Sequence, residues 1–234
     1  MKRYKVYSEA VYALAIIMLS FAVAMISSTG LGVSMIVAPA YILSLKFDFL
    51  TFGQSEYIVQ GILFIILCLI NKRFKPIYLT SFLTGLIYGG VLDFWRIIIP
   101  HFNPDITPVG SYGTVLKIIY FVLGMLLTSL SIALFFKTYL YPQVYDFFVK
   151  AISQRLSVDT TKFKMCFDAA FLIISLAMSF MFFKRLNGIG IATVIMTCFN
   201  GLLIGFFSKA LDRFFIFEPR FKGFSQKFII ITTS

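Results

Sequence analysis

The sequence predicts an all-α polytopic membrane protein, and three observations lead to that fold class. Of the 234 residues, 59% are hydrophobic and 13% are charged, and the mean hydropathy is +0.91. A soluble domain has about 45–50% apolar and about 25% charged residues. Apolar runs of about 20 residues, long enough to cross a hydrocarbon core, recur from end to end. The net charge of +11 lies mainly between these runs, so it indicates membrane topology and gives no reason to expect nucleic-acid binding.

The hydropathy pattern divides the chain into six long membrane spans and two short helices. The spans are predicted at 8–29, 54–71, 76–99, 114–136, 165–183 and 188–209. The short helices are predicted at 33–45 and 139–153, and lengths of about 10–14 residues favour re-entrant helices over full crossings. Each contains a proline, Pro39 or Pro142, which is expected to break the helix by removing a backbone hydrogen bond.

An internal repeat relates the two halves of the chain. Three features align in the same order: Pro39 with Pro142, Glu56 with Asp168, and the Gly85–Gly89 run with Gly201–Gly205. Each repeat would contain three transmembrane helices and one short proline-broken re-entrant helix. Because three crossings is an odd number, the second repeat would be inverted relative to the first. The predicted organisation is a first membrane repeat at 1–100, an external connecting loop at 101–113, a second membrane repeat at 114–218 and a basic cytoplasmic tail at 219–234.

Basic residues predict the orientation of the chain in the membrane. Lys2, Arg3 and Lys5 place the N-terminus in the cytoplasm. If both short helices are re-entrant, the basic cluster at 71–75 is also cytoplasmic and the sparsely basic loop at 101–113 is external. The basic pair at 184–185 then falls on the external side, against this bias.

Polar residues around the two prolines are the predicted substrate-binding residues: Ser34, Pro39, Ser44, Thr138, Pro142, Gln143, Tyr145 and Asp146. Interrupted short helices at corresponding places in two halves are the best sequence indicator of a central transporter site. Asp146 follows Pro142 by four residues, and a carboxylate beside a broken membrane helix can hold a cation or a proton.

Other ionisable residues at membrane depth are also candidates, because such groups are costly there. Glu56 and Asp168 lie at matched positions near the starts of their spans and are candidates for coupling or for ion binding. A purely structural role is equally open for both, since an acid favours a helix N-terminus. Asp93 and Arg96, three residues apart, are expected to pair on one helix face.

Two pairs of glycines have a spacing that is typical of helix packing in membranes. Gly85 and Gly89, and likewise Gly201 and Gly205, lie four residues apart and therefore share one helix face. Small residues let two helices approach closely, so both faces are expected to pack against a neighbouring helix.

Nothing in the sequence indicates catalysis, a cofactor or a metal. It contains no GxSxG, HExxH, P-loop or dinucleotide GxGxxG motif. The single histidine, His101, lies in the connecting loop, and Cys68, Cys166 and Cys198 form no CxxC pair. We therefore expect a protein that is not an enzyme and that has no catalytic residue, no metal site and no cofactor.

Several motifs resemble those of the bacterial YczE/YyaS/YitT membrane proteins. The resemblance rests on three parts of the sequence: the glycine-flanked Thr29–Ser44 segment, the Leu50–Gly53 turn, and Gly85, Gly89 and Asp93 in the third long span. The resemblance implies a multi-pass protein of the bacterial plasma membrane. This chain has no acid after Pro39 where such proteins often have one, whereas Asp146 follows Pro142.

The function predicted from these observations is secondary transport of a small solute through a midplane site between the two repeats. The alternative is a non-transporting membrane scaffold or accessory subunit, in which the short helices serve packing. A lipid-handling protein is a third option, and it would need a lateral opening between spans. The expected partners are the lipid bilayer and an unidentified solute, and a homo-oligomer is left open.

The predicted topology can be tested by cysteine-accessibility labelling. Single cysteines placed between Lys72 and Lys75 should react only with reagent supplied from the cytoplasm, and those in the 101–113 loop only from outside, because of the positive-inside bias. Cytoplasmic labelling of a cysteine at Asn103 would exclude the inverted-repeat topology.

Overall fold

Eight helices and two short strands make up the described part of the chain, residues 4–72, 78–221, 223, 225 and 226 of a computed structural model. The long helices are α1 (Ser8–Ser28), α3 (Phe52–Asn71), α4 (Leu79–Ile98), α5 (Thr114–Phe136), α7 (Thr160–Phe183) and α8 (Ile191–Phe214). The short ones are α2 (Ala38–Lys46) and α6 (Val144–Arg155). The strands β1 (Tyr4–Tyr7) and β2 (Phe215–Glu218) flank the helices.

The six long helices confirm the number of spans predicted from hydropathy. Each is long and apolar enough to cross a membrane, with a mean hydropathy between 1.2 and 2.3. The chain is therefore a multi-pass integral membrane protein. Helix α7 begins at Thr160 and not at 165, because Asp159 caps it by accepting the backbone N–H of Lys162 at 2.9 Å. Helix α8 continues to Phe214, and Asp212 near its end pairs with Lys137 at 2.7 Å.

Helix α1 lies at the centre of the bundle and packs against α4 and α5. It is the most buried of the six long helices, and its small residues Ala15, Ala22 and Ala24 have no exposed surface. Small side chains allow the close approach that membrane helices need, since lipid supplies no hydrophobic driving force between them. The remaining packing pairs α3 with α4 and α5 with α8.

The contacts of the connecting segments place the two short helices toward opposite ends of the bundle. At the end where α1 finishes, Ser28 accepts the backbone N–H of Gly110 at 3.0 Å, and Val33 donates to Gly188 at 3.2 Å. Tyr41 of α2 also bonds to Ser27 there, at 3.0 Å. At the end where α1 begins, the Tyr12 hydroxyl reaches the carbonyl of Tyr141, just before α6.

Neither proline breaks a helix, and the sequence prediction was wrong on this point. Pro39 is the second residue of α2, and Pro142 precedes Gln143, the N-cap of α6. In the first turn of a helix the backbone N–H has no helical partner, so a proline costs nothing there and its fixed φ suits the helix start. Asp146 consequently lies in the first turn of an intact helix.

The first glycine pair packs as predicted, and the second does not. Gly85 and Gly89 face α3, where an added Cβ would overlap Gln60 at the first position and Tyr57 at the second. At Gly201 and Gly205 an added Cβ would meet nothing within 4 Å among the described residues. The prediction of a packed face on α8 is therefore wrong within the single chain, because no neighbouring helix comes close enough to these glycines.

A clasp between the first and last elements joins the two ends of the described chain. Strands β1 and β2 pair in parallel, and Lys5 bonds to Glu218 at 2.8 Å, which raises the pKa of Lys5. Glu9 accepts the backbone N–H groups of Arg220 and Phe221 at distances of 3.0–3.1 Å. The predicted tail at 219–234 thus begins as a fixed segment, while most of it, and Lys2, Arg3 and 73–77, lie outside the described residues.

The contact between α3 and α4 predicts a penalty for any side chain at Gly53. A Cβ there would overlap the carbonyl oxygen of Gly89, which is backbone and cannot rotate away. We expect Gly53→Ala to lower the free energy of unfolding in detergent by about 1–3 kcal/mol, as overpacking does. Gly205→Ala is the matched control, since its Cβ would point into open space. Equal stability of the two variants would contradict this packing.

Candidate binding cavity

A cavity of about 380 Å³ lies inside the bundle, between α1, α5, α7 and α8. The chain before α2 and the chain entering α6 both reach it. Most of its wall is apolar and comes from α1, α5 and α8: Leu19, Val23, Ile26, Ile132, Phe135, Phe136, Met196 and Ile204. Its volume falls in the range of about 300–1,000 Å³ that is usual for small-molecule sites.

One wall of the cavity is charged. Lys164 lies at its centre, with its Nζ 3.2 Å from Asp146 Oδ1 and 3.8 Å from Asp168 Oδ1. Lys164 and Asp168 are four residues apart on α7 and therefore share a face, while Asp146 comes from the first turn of α6. Two carboxylates and one ammonium leave this wall with a net charge of −1 when all three are ionised.

Besides Asp168 Oδ1, three buried polar atoms that line the cavity have no hydrogen-bond partner among the described residues. They are Gln143 Nε2, Tyr88 Oη and Thr128 Oγ1, on side chains of residues that are 7%, 1% and 4% exposed. Leaving a buried donor or acceptor unsatisfied costs about 1–3 kcal/mol. The hydrogen-bonding capacity of these groups is therefore unused within the described structure.

A second polar cluster lies directly behind the cavity wall, around Glu56. This fully buried carboxyl accepts the Tyr145 hydroxyl at 2.9 Å and the Gln60 side-chain amide at 3.0 Å, both on Oε2. Its other oxygen has no partner in the described part of the chain. Tyr145 itself lines the cavity, so it connects the cavity to Glu56.

The cavity brings together six of the residues proposed from the sequence: Ser34, Pro142, Gln143, Tyr145, Asp146 and Asp168. Pro39, Ser44 and Thr138 do not line it. Pro39 is buried inside α2, while the hydroxyls of Ser44 and Thr138 bond to nearby backbone carbonyls of Tyr41 and Phe135. Glu56 lies behind the wall. The binding roles of all these residues remain predictions.

Five polar residues of the cavity were missed in the sequence: Lys164, Tyr88, Thr128, Thr197 and Asn200. Lys164 was not among the residues proposed for the site. Its spacing of four residues from Asp168 was a signal for a paired site on one helix face. Asn200, in the middle of an apolar span and bonded to Ser129 at 2.5 Å, was a second available signal.

The predicted pairing of Asp93 with Arg96 is not formed in the described structure. Asp93 instead accepts the Thr51 hydroxyl at 2.5 Å and the backbone N–H of Gly53 at 2.8 Å, and so holds the start of α3. The Arg96 guanidinium lies over the ring of Phe52, 5.4 Å from its centroid. The free N–H groups of a helix start are stronger attractions for a carboxylate than a neighbour on its own helix.

Six helices long and apolar enough to cross a membrane, with a cavity inside their bundle, define a multi-pass membrane protein. Comparison with known proteins identifies the family to which the chain belongs. It belongs to DUF6198, a family of unknown function, which matches residues 6–209. It is 28% identical over 210 residues to the uncharacterized protein YyaS of Bacillus subtilis (strain 168), covering 89% of this chain and 96% of that protein. The resemblance to YyaS-like proteins is confirmed, and no solved structure gives a significant match.

Removal of the side-chain hydroxyl should lower the stability of the protein at one of the two tyrosines of the cavity and not at the other. Tyr145→Phe would leave Glu56 without its hydroxyl donor, so we expect the free energy of unfolding in detergent to fall by about 1–3 kcal/mol. Tyr88→Phe is the matched control, because this hydroxyl has no partner to lose among the described residues. A larger destabilisation by Tyr88→Phe than by Tyr145→Phe would contradict the assigned contacts.

Proposed function

We propose that this protein is a secondary transporter that binds a small solute in the central cavity. The observation that carries the proposal is the set of unpartnered polar groups, Gln143, Tyr88 and Thr128, that line a cavity beside a charged wall. Ionisable groups at membrane depth are costly and are found mainly along substrate and ion pathways. A protein that only needed to pack its helices would gain stability from apolar side chains at these positions.

The proposed architecture is a pair of inverted repeats, each with three spans and one re-entrant helix. Its support is the placement of α2 and α6 toward opposite ends of the bundle, with the segment before each helix reaching the same cavity. In transporters of this kind, one repeat rocks against the other around a fixed midplane site. The N-terminus would lie in the cytoplasm, and the membrane would be the bacterial plasma membrane.

The proposed roles follow the distance of each residue from the cavity. Ser34, Gln143 and Asp146 would contact the solute directly. Asp168 would share the charge of the solute, while Glu56 would couple transport to a proton or an ion through Tyr145. The protein acts on its solute by binding and release, with no catalytic step.

A lipid-handling role is the second candidate, and one observation favours it. Helices α7 and α8 follow each other in sequence, yet α7 packs on α2 and α6 whereas α8 packs on α5. Little of either helix is buried in the described structure, 22% and 17% of their spans. The gap between them offers a lateral opening, but an acyl chain there would leave the charged wall unsatisfied. For the same reason a purely structural scaffold explains less of the cavity than transport does.

Alternating access predicts that a cysteine in the cavity reacts from both sides of the membrane. Thr197 of α8 lines the cavity, and a cysteine side chain is no larger than threonine, so it fits at this position. In a background with Cys68, Cys166 and Cys198 replaced by alanine, Thr197→Cys should be modified by a charged, impermeant thiol reagent added to either face of oriented vesicles.

The native Cys198 provides a matched control beside this position. It is exposed on α8 but does not line the cavity, so it faces lipid and should react from neither side when it is the single cysteine. Labelling of Thr197→Cys from one side only would exclude a carrier. Labelling from neither side would indicate a dry centre and would favour the scaffold.

A further inference from the structure

We infer that the solute of the proposed transporter is a monovalent organic cation, an amine with an apolar body and a hydroxyl group. This inference rests on the transport function proposed above and adds the chemical class of the substrate. Three independent properties of the cavity lead to it: the charge of its wall, the chemistry of its lining and the type of hydrogen-bonding groups left without partners.

The charged wall contains two carboxylates and one ammonium group, so one positive charge is missing for neutrality. Lys164 lies closer to Asp146, at 3.2 Å, than to Asp168, at 3.8 Å, and only the shorter distance is a hydrogen bond. Asp146 also lies in the first turn of α6, where the positive end of the helix favours an acid. Asp168 has neither advantage, and its Oδ1 has no hydrogen-bond partner among the described residues.

An ammonium group is the ligand chemistry that completes this wall. It brings the missing charge and three donors, and the unpartnered oxygen of Asp168 can accept one of them. A carboxylate that is taken out of water without such a partner is strongly unfavourable. A divalent metal ion is a poorer fit, since the described residues contain no group of three side chains suited to hold one.

The rest of the cavity selects an apolar body. Opposite the charged wall, α1 and α5 present Val23, Ile26, Ile132 and Phe135, which carry no polar side-chain atom. A small hydrated cation would leave this surface in contact with water, whereas an aromatic or branched body would bury it at about 25 cal/mol per Å². The cavity therefore favours an organic amine over an inorganic ion.

The unpartnered groups require an acceptor on the same molecule. Gln143 Nε2 can only donate, so it cannot be satisfied by an ammonium. The hydroxyls of Tyr88 and Thr128 can donate or accept, which a ligand hydroxyl matches on both counts. A ligand carboxylate would also accept from Gln143, but it would bring a second negative charge to a wall that already carries an excess of one.

A matched set of four phenols tests the charge requirement on the purified protein in lipid nanodiscs. Tyramine carries the ammonium, tyrosine is the zwitterion, tyrosol is neutral and hydroxyphenylpropanoate is the anion, while ring and hydroxyl stay the same. We expect tyramine to bind at least about tenfold more tightly than each of the other three, as a buried charge-assisted pair provides. Titration calorimetry measures all four.

Two variants of the wall should change the affinity for tyramine in opposite directions. Asp168→Asn removes the acceptor charge and should weaken binding by about tenfold or more, whereas Lys164→Gln removes the competing cation and should strengthen it. General misfolding would weaken binding in both, so the opposite signs distinguish recognition from structural damage. Asp212→Asn, which removes an acid that pairs with Lys137 away from the cavity, is the control and should bind as the parent does.

The possible results separate this inference from the transport function beneath it. Binding of tyrosine, tyrosol or the anion as tightly as tyramine would overturn the amine assignment and leave a binding cavity in place. Undiminished binding of tyramine to Asp168→Asn would overturn the role of that carboxylate. Binding of none of the four would overturn the substrate class, while access to Thr197→Cys from both faces would still support a transporter.

Discussion

The structure depends on one constraint: polar groups at membrane depth must be satisfied inside the protein, because the hydrocarbon offers no partners. Most buried hydroxyls satisfy this constraint with a hydrogen bond inside their own helix. Ser27, Ser131 and Ser175 each donate to a backbone carbonyl three or four residues earlier in their own helix, at 2.7–2.8 Å. Asp93 meets it by binding the start of the neighbouring helix. Four of the exceptions, on Tyr88, Thr128, Gln143 and Asp168, line the cavity, and these carry the proposal that the cavity binds a ligand.

Close packing on one side of the bundle and loose packing on the other explain where the cavity forms. Small residues on α1, α3 and α4 bring these helices into contact, and an extra Cβ at Gly53 or Gly89 has no room. Helices α7 and α8 lack such contacts with each other, and the space they leave is bounded by the starts of two short helices. The closely packed side fixes the polar groups of the cavity, and the loosely packed side leaves the cavity its volume.

The sequence predicted the spans well because hydropathy is a local property that needs no knowledge of neighbours. It predicted less well wherever the outcome depended on a competing partner. Asp93 bound a helix start in place of Arg96, and Gly205 met open space, although its spacing matched that of Gly89. Lys164 had the spacing of an ion pair, but only the fold shows that α6 brings Asp146 beside it. Five of the six proposed site residues that reach the cavity belong to the short helices or to the segments before them, which the prolines marked, and Asp168 comes from α7.

The clasp between β1 and β2 has a consequence for how the chain is made. Glu9 accepts the backbone N–H of Arg220, which lies 211 positions later, so this contact can form only after α8 has been synthesised. Until then the first strand has no neighbour, and a nascent or truncated chain exposes an unpaired edge. The clasp can therefore close only in a chain that contains both β1 and the segment after α8.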